Sequence, residues 1–226
     1  MKVKLIILML LLCLFSNVVL AQTNIELSIP DICATPRDSV EIIVDMVNPV
    51  SVWDISFLLI LDPQSVSILK RQLLRKSICG GRRCGLSWHS ESGGFRYSCG
   101  CFPIYDSMMC CNDPLMKVTI ELKESMMCGD QLPIQFSDVT VHSWDEPFDS
   151  VEIKNGTVFV FLKGDVNLDC KVNVLDVVNT TRIITAAYEP EGCERWAADW
   201  NSDEEINALD VIGIVNIILG VIECEP

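Results

Sequence analysis

Histidine is nearly absent from this chain, which has His89 and His142 among 226 residues. Neither histidine has a nucleophile or a carboxylate at a spacing that would indicate a catalytic pair, and neither stands at metal-ligand spacing from the cysteines. A glycosidase needs two carboxylates across a cleft, but acid pairs arise by chance in a chain with 31 acidic residues. We therefore expect a protein that is not an enzyme.

Basic residues are also few. Lysine and arginine together number 17 against 31 aspartates and glutamates, so the formal net charge is −14. An acidic chain repels nucleic acid and attracts divalent cations, which excludes a nucleic-acid partner from our expectations. Six basic residues form one cluster, interpreted as a solvated strand-loop surface or a contact for an acidic partner: Lys70, Arg71, Arg75, Lys76, Arg82 and Arg83.

Residues 1–21 predict a secretory signal peptide. Two lysines precede an unbroken apolar stretch that ends in the small-residue site Val19-Leu20-Ala21, and this is the layout of such peptides. No basic residues follow, as they would behind a membrane anchor, so we expect cleavage after Ala21 and no stable membrane insertion. The mature protein would be secreted, either free or held at the cell surface through its partner.

Cysteine is abundant, with twelve residues, of which eleven remain once Cys13 leaves with the signal peptide. In a secreted chain these predict disulfides. The odd number leaves either a free thiol or an intermolecular bridge, and the spacings do not decide the connectivity.

Residues 22–162 have the pattern of a mainly β fold, an antiparallel two-sheet β-sandwich of jelly-roll type. Alternating apolar residues predict strands in "SVEIIVDM" and "MKVTIEL", "WDISFLLIL" is a continuous apolar run, and turn residues separate about eight such segments. From residue 163 to 226 polar loops alternate with helix-length apolar segments, which predicts a small all-α domain. No proline- or serine-rich linker separates the two, so we expect them to lie close together.

The C-terminal part is an internal duplication with a period of 34 residues. "DVNLDCKVNVLDVVNTTRII" aligns with "DWNSDEEINALDVIGIVNII". Carboxylates and amides occupy positions 1, 3, 5, 9 and 12 of both twelve-residue loops: Asp165, Asn167, Asp169, Asn173 and Asp176 in the first, and Asp199, Asn201, Asp203, Asn207 and Asp210 in the second.

This spacing predicts one calcium ion in each loop, two in all. Calcium takes six to eight oxygen ligands, and the backbone carbonyl at position 7, Lys171 or Glu205, would add to the side chains. Position 6, where an EF-hand loop has glycine, holds Cys170 and Glu204 instead. A non-glycine residue with positive φ is costly there, so calcium affinity is expected to be lowered.

The paired loop-helix repeats, with aspartate at position 12, resemble a dockerin. "VSVWDISFLLILDPQSVSI", "IQFSDVTVHSWDE" and "NGTVFV" resemble strands of a cohesin, or of the related carbohydrate-binding sandwich. The resemblance implies a cohesin as partner, contacted at loop positions 10 and 11 and along the first helix: Val174, Leu175, Arg182, Ala208 and Leu209. The near-identity of the repeats would permit two docking orientations. Alternatively, Leu175 and Leu209 are core residues that pack the helices together.

Aromatic residues are candidates for a sugar-binding platform in the sandwich, or else for core and loop packing: Trp53, Trp88, Tyr97 and Trp144. We thus expect a secreted, non-catalytic adaptor with a calcium-dependent dockerin module, whose sandwich is a second binding surface for a dockerin or a polysaccharide in a polysaccharide-degrading assembly. The alternatives are a carbohydrate-binding module displayed through its dockerin and a calcium-stabilised structural surface protein.

Overall fold

The computed structural model describes residues 24–49, 52–74, 84–91, 94–101, 111–143 and 150–222. The predicted signal peptide lies outside these residues. Among the helices that are described, none is long and apolar enough to cross a membrane.

Two β-sheets form the sandwich. The strands are β1 Ile25–Ser28, β2 Ile32–Ala34, β3 Ser39–Asn48, β4 Val52–Ile60, β5 Val66–Leu73, β6 Cys84–Glu91, β7 Gly94–Cys101, β8 Cys111–Leu122, β9 Gln131–Ser143, β10 Val151–Lys154 and β11 Gly156–Val160. One sheet has the order β10-β1-β3-β8-β5 and the other the order β2-β11-β9-β4-β7-β6. The predicted two-sheet sandwich is confirmed.

The first and last strands each cross from one sheet to the other. β1 and β10 belong to the first sheet, and their continuations β2 and β11 belong to the second. These strands pair in parallel, β1 with β10 and β2 with β11, whereas the other pairings are antiparallel. The sandwich is thus antiparallel in most of its described strand pairs, as predicted, and parallel in these two, because the first and last strand segments of the sandwich run side by side in the same direction.

Gly156 marks the place where the two crossing segments touch. A Cβ atom there would lie 2.6 Å from the Pro30 carbonyl oxygen and 2.7 Å from Ile29 Cγ2. Asp31 accepts a hydrogen bond from the Thr157 N–H at 2.9 Å, which ties the segments together. Only glycine allows so close an approach of two backbones.

The sandwich core lies between the sheets, and the alternating residues of the sequence supply it. Val40, Ile42, Val44 and Met46 of β3 are at most 6% exposed. The same holds for the facing residues of β8, which are Met116, Val118, Ile120 and Leu122. Phe57 of β4 is fully buried and packs edge to face on Phe136 of β9, with ring centroids 5.2 Å apart.

Three helices follow the sandwich: α1 Val174–Ile184, α2 Glu194–Ala198 and α3 Ala208–Ile218. Their small core consists of the buried Val166, Ala198 and Ile214, with partly buried apolar residues around them. Gly213 lets α3 approach Trp200, since a Cβ atom would lie 2.2 Å from the indole ring. So small a core makes other forms of stabilisation valuable.

Leu162 and Lys163 are the connection between the sandwich and the helices. Phe161, Cys193 and Ala197 form a buried cluster across the junction. The Lys163 ammonium group donates to the carbonyl oxygens of Trp196, at 2.9 Å, and Asp199, at 2.6 Å. The helical part is therefore held against the end of the sandwich.

We expect Phe57→Ala to lower the free energy of unfolding by about 3–5 kcal/mol, because it removes a buried ring and leaves a cavity. Denaturant unfolding followed by circular dichroism measures this loss. Leu69→Ala on β5, where the side chain is 55% exposed, is the matched control and should change stability by less than about 0.5 kcal/mol. Equal losses in the two variants would contradict the assignment of the core.

Candidate metal loops and docking surface

The first loop is organised around two buried carboxylates, Asp165 at position 1 and Asp176 at position 12, both 0% exposed. Asp165 accepts the N–H of Asp169 at 3.0 Å and the N–H of Cys170 at 2.7 Å. Asp176 accepts the N–H groups of Asn167, at 3.2 Å, and of Asn173, at 2.8 Å. The loop is thereby wrapped around its own acidic side chains.

The second loop repeats this arrangement. Asp199 accepts the N–H groups of Asp203 and Glu204, both at 3.1 Å, and Asp210 accepts those of Asn201 and Asn207 at 3.3 and 2.8 Å. Asp199 is 7% exposed and Asp210 is 0% exposed. The sequence duplication is therefore also a duplication of structure.

Position 9 begins each helix. Asn173 and Asn207 are the N-caps of α1 and α3, and each side-chain oxygen accepts the N–H of position 11. The carboxylate of position 12 returns a bond to the N-cap N–H, which completes a capping box. Helix capping by the position 9 side chain is compatible with calcium binding, because in EF-hand loops position 9 often contacts the metal only through a water molecule.

Two residues in each loop have left-handed backbone. At position 6, where EF-hand loops have glycine, Cys170 has φ 63° and Glu204 has φ 71°. Both residues thus have the positive φ that is expected at this position. Position 4 is also left-handed, with φ 57° at Leu168 and 59° at Ser202, which the sequence did not indicate. The four positions make the tight curl that brings alternate side chains together.

The donor set fits calcium. Within each loop the candidate ligands are carboxylate, amide and carbonyl oxygens, with neither nitrogen nor thiolate sulfur among them. Such hard donors suit calcium or magnesium, and their number and the loop's length favour calcium. The residues that would hold the ion are those of positions 1, 3, 5, 7 and 12, and position 9 would contribute through water.

Electrostatics also favour a cation in the first loop. Burial raises the pKa of the Asp165 carboxyl, and the charges of Asp176 and Asp169 raise it further, against the N–H donors of Cys170 and Asp169, which lower it. The loop therefore holds carboxylates whose burial and mutual repulsion a divalent cation would offset.

Exposed apolar side chains lie at the end of each loop and on the helix that begins there, at matched positions of the repeats. Val174, Leu175 and Val178 of α1 are 63%, 59% and 48% exposed. On α3, Leu209 and Ile212 are 59% and 56% exposed, and Ala208 is exposed as well. We call these six residues the docking surface.

The alternative that Leu175 and Leu209 are core residues is wrong, because the helices pack through Ile183, Ile214 and Ile218 instead. Val178 and Ile212 were missed, although their i+4 and i+3 spacing from positions 10 and 11 places them on the same helix face. Arg182 is exposed, with its guanidinium carbon 5.3 Å from the ring centroid of Tyr188.

Two of the candidate sugar-binding aromatics lie on neighbouring strands. Trp88 of β6 and Tyr97 of β7 are Cα partners across the strand pair. Trp144 lies outside the described residues. Carbohydrate binding by these residues stays a prediction.

Two disulfides confirm that cysteines of this chain pair, and both connect the sandwich to the helical part. Cys33 of β2 is bonded to Cys193, next to α2, and Cys128 in the β8–β9 turn is bonded to Cys170 of the first loop. Their Cα–Cα distances are 5.4 and 5.7 Å. Both disulfides border a cleft of about 660 Å³ at the junction.

Comparison with known proteins divides the chain in the same way. Residues 163–219 match the family model of the dockerin type I domain. No curated protein has a matching sequence.

The strand-rich part is similar in structure to cohesins. One match is the sixth cohesin of scaffoldin B from Acetivibrio cellulolyticus, in complex with a Cel5 dockerin mutant, at 16% identity and a TM-score of 0.53, covering 61% of this chain and 99% of that one. A type I cohesin–dockerin complex from Clostridium thermocellum matches at 14% identity, TM-score 0.53 and the same coverage. The cohesin CaCohA2 from Clostridium acetobutylicum matches at 12% identity and a TM-score of 0.53, over 65% of this chain and 95% of that one.

Identities this low establish the fold alone. The chain therefore consists of a β-sandwich with the cohesin fold, followed at residues 163–219 by a segment that matches the dockerin type I family.

Proposed function

We propose that this protein is a secreted, non-catalytic adaptor whose C-terminal module, with two bound calcium ions, docks onto a cohesin of another protein. The observation that carries the proposal is the duplicated docking surface: apolar residues at positions 10, 11 and 14 of both repeats face solvent. Exposed apolar patches mark interaction sites, and none of these six side chains belongs to the core of the helical part.

The calcium loops support this role because they hold the first helical turns that carry the docking surface. Position 12 is both a proposed ligand and the third residue of the helix, where it completes the capping box. Calcium in the loop would therefore fix the first turn of α1 and of α3, which carries positions 10 and 11. Metal binding and presentation of the docking surface are coupled in this proposal.

The partner is proposed from the comparisons. The solved structures that resemble the sandwich include cohesin–dockerin complexes, and the segment 163–219 matches the family model of the dockerin type I domain. The sandwich, which has the cohesin fold, is proposed as a second binding surface for the dockerin of a further protein. Such a chain would connect two components of a polysaccharide-degrading assembly.

Calcium should stabilise the full mature chain. At about one hundred times the dissociation constant, each site adds about 2.7 kcal/mol to the free energy of unfolding, so the unfolding temperature should rise between chelator and calcium. Asp165→Ala combined with Asp199→Ala should abolish the rise, whereas Glu189→Ala, an exposed carboxylate outside the loops, should leave it unchanged. Thermal unfolding followed by circular dichroism is the measurement. If calcium does not raise the unfolding temperature of the unaltered chain, the proposed metal sites are refuted.

Docking should tolerate loss of one half of the surface and fail when both halves are lost. Leu175→Asp or Leu209→Asp alone should leave capture by immobilised type I cohesins largely intact, since the partner can use the other repeat. The double variant should weaken capture about a hundredfold or more, because a charge is then buried in either orientation. Surface plasmon resonance at millimolar calcium measures both.

Trp196→Ala is the control for this experiment, because Trp196 is 58% exposed but belongs to α2 and not to the two helices that carry the docking surface. It should not alter capture. If the unaltered chain is captured by no cohesin of the panel at millimolar calcium, the role of a calcium-stabilised structural protein replaces the adaptor.

Secretion gives a further test. We expect the chain recovered from the medium to begin at Gln22, because cleavage follows Ala21. Mass spectrometry of the intact secreted protein and of its N-terminal peptide measures this. An N-terminus at Met1, with the chain retained in the cell, would contradict the proposed localisation.

A further inference from the structure

The two proposed calcium loops have the same side chains at positions 1, 3, 5, 9 and 12 but differ at position 6. Cys170 and Glu204 both have left-handed backbone, which is unfavourable for side chains other than glycine. Glu204 is exposed and its N–H donates to Asp199 Oδ2 at 3.1 Å, whereas Cys170 is covalently bonded to Cys128. The protein thus contains one loop that is cross-linked at position 6 and one that is not, with the same side chains at positions 1, 3, 5, 9 and 12.

Cys128 is a firm anchor because the β8–β9 turn that carries it is tied to the sandwich. The next residue, Gly129, donates its N–H to the Val160 carbonyl oxygen at 2.9 Å, and Val160 donates to the Asp130 carbonyl oxygen at 3.0 Å. Asp130 also accepts the Met127 N–H at 2.8 Å. Met126, on the other side of Cys128, is buried in the sandwich core.

The anchored residue is the one that orients the first proposed ligand. The Cys170 N–H donates to Asp165 Oδ2 at 2.7 Å, compared with 3.1 Å for the Glu204 N–H to Asp199 Oδ2 in the second loop. Cys128 Sγ lies 3.8 Å from the same Asp165 oxygen. The two sulfurs and this carboxylate do not form a metal site of their own, because the sulfurs are bonded to each other.

We propose that Cys128 and Cys170 are positioning residues for the first calcium ion: their disulfide holds position 6 in the left-handed conformation, so that loop 1 binds calcium more tightly than loop 2. The proposal rests on calcium binding as proposed above. A loop whose shape is set before the ion arrives loses less conformational freedom on binding. The disulfide thereby substitutes for the glycine that EF-hand loops have at this position.

Amide resonances of the ¹⁵N-labelled mature chain test the proposal loop by loop. The N–H groups of Asp169 and Asp203, at position 5, donate to Asp165 and Asp199 at 3.0 and 3.1 Å, so each reports calcium in its own loop. In the unaltered chain, Asp169 should reach half-saturation at a lower calcium concentration than Asp203. In Cys128→Ser/Cys170→Ser the Asp169 midpoint should rise about tenfold, the factor expected for an unassisted left-handed residue, with the Asp203 midpoint unchanged.

Two further variants separate positioning from general cross-linking. Cys33→Ser/Cys193→Ser removes the other disulfide, which joins the same two modules through cysteines outside both loops, and it should change neither midpoint. Cys128→Ser/Cys170→Gly should bring the Asp169 midpoint close to that of the unaltered chain, because glycine adopts positive φ freely. Should the serine variant not fold, Cys128→Ala/Cys170→Ala replaces it with the same expected direction, because alanine is likewise unfavourable at positive φ.

Each outcome decides something. An Asp169 midpoint that is unchanged in the serine variant, not restored by glycine, or equally raised by loss of Cys33–Cys193 overturns the positioning role and leaves the proposed function intact. If neither Asp169 nor Asp203 responds to calcium in the unaltered chain, calcium binding itself fails.

Discussion

Buried carboxylates are the constraint on which the C-terminal module depends. Asp165, Asp176 and Asp210 have no solvent exposure, and Asp199 is 7% exposed. Buried charge is costly unless hydrogen bonds or an opposite charge compensate it. Each carboxylate therefore accepts N–H groups of its own loop, and those bonds curl the loop and start the helix behind it. The docking surface is a consequence of this network, since it lies on the first turns that the network begins.

The junction compensates for the small size of the helical module. Three fully or nearly buried apolar residues form its core, which is little for an independent domain. Two disulfides, a buried apolar cluster and the bonds of Lys163 attach it to a sandwich with a far larger core. Burial lowers the pKa of the Lys163 amine while Asp199 and Asp210 act against it. Lys163 thus lies in the connection between the two modules and also contacts the second loop, through the carbonyl oxygen of Asp199.

Strands and loops differ in how far the sequence predicts them. β3 and β8 were predictable because one face of each is buried, and burial of one face imposes a two-residue alternation. β5 carries Lys70 and Arg71 at the edge of its sheet, where charge is favourable, so it has no such alternation. The division of the end strands between two sheets was not predictable, since it depends on contacts between residues about 125 positions apart, such as Asp31 and Thr157.

The sequence by itself determined the two acidic loops, because their carboxylates, helix caps and left-handed position 6 lie within twelve consecutive residues and are governed by local geometry. Tertiary structure decided which apolar residues face solvent. Leu175 and Leu209 fit a core or a docking surface equally well in the sequence, and the packing of α1 against α3 through other residues leaves both exposed. It also decided the pairing of Cys33 with Cys193, 160 residues apart, because a disulfide requires proximity in space and the sequence specifies only the thiols.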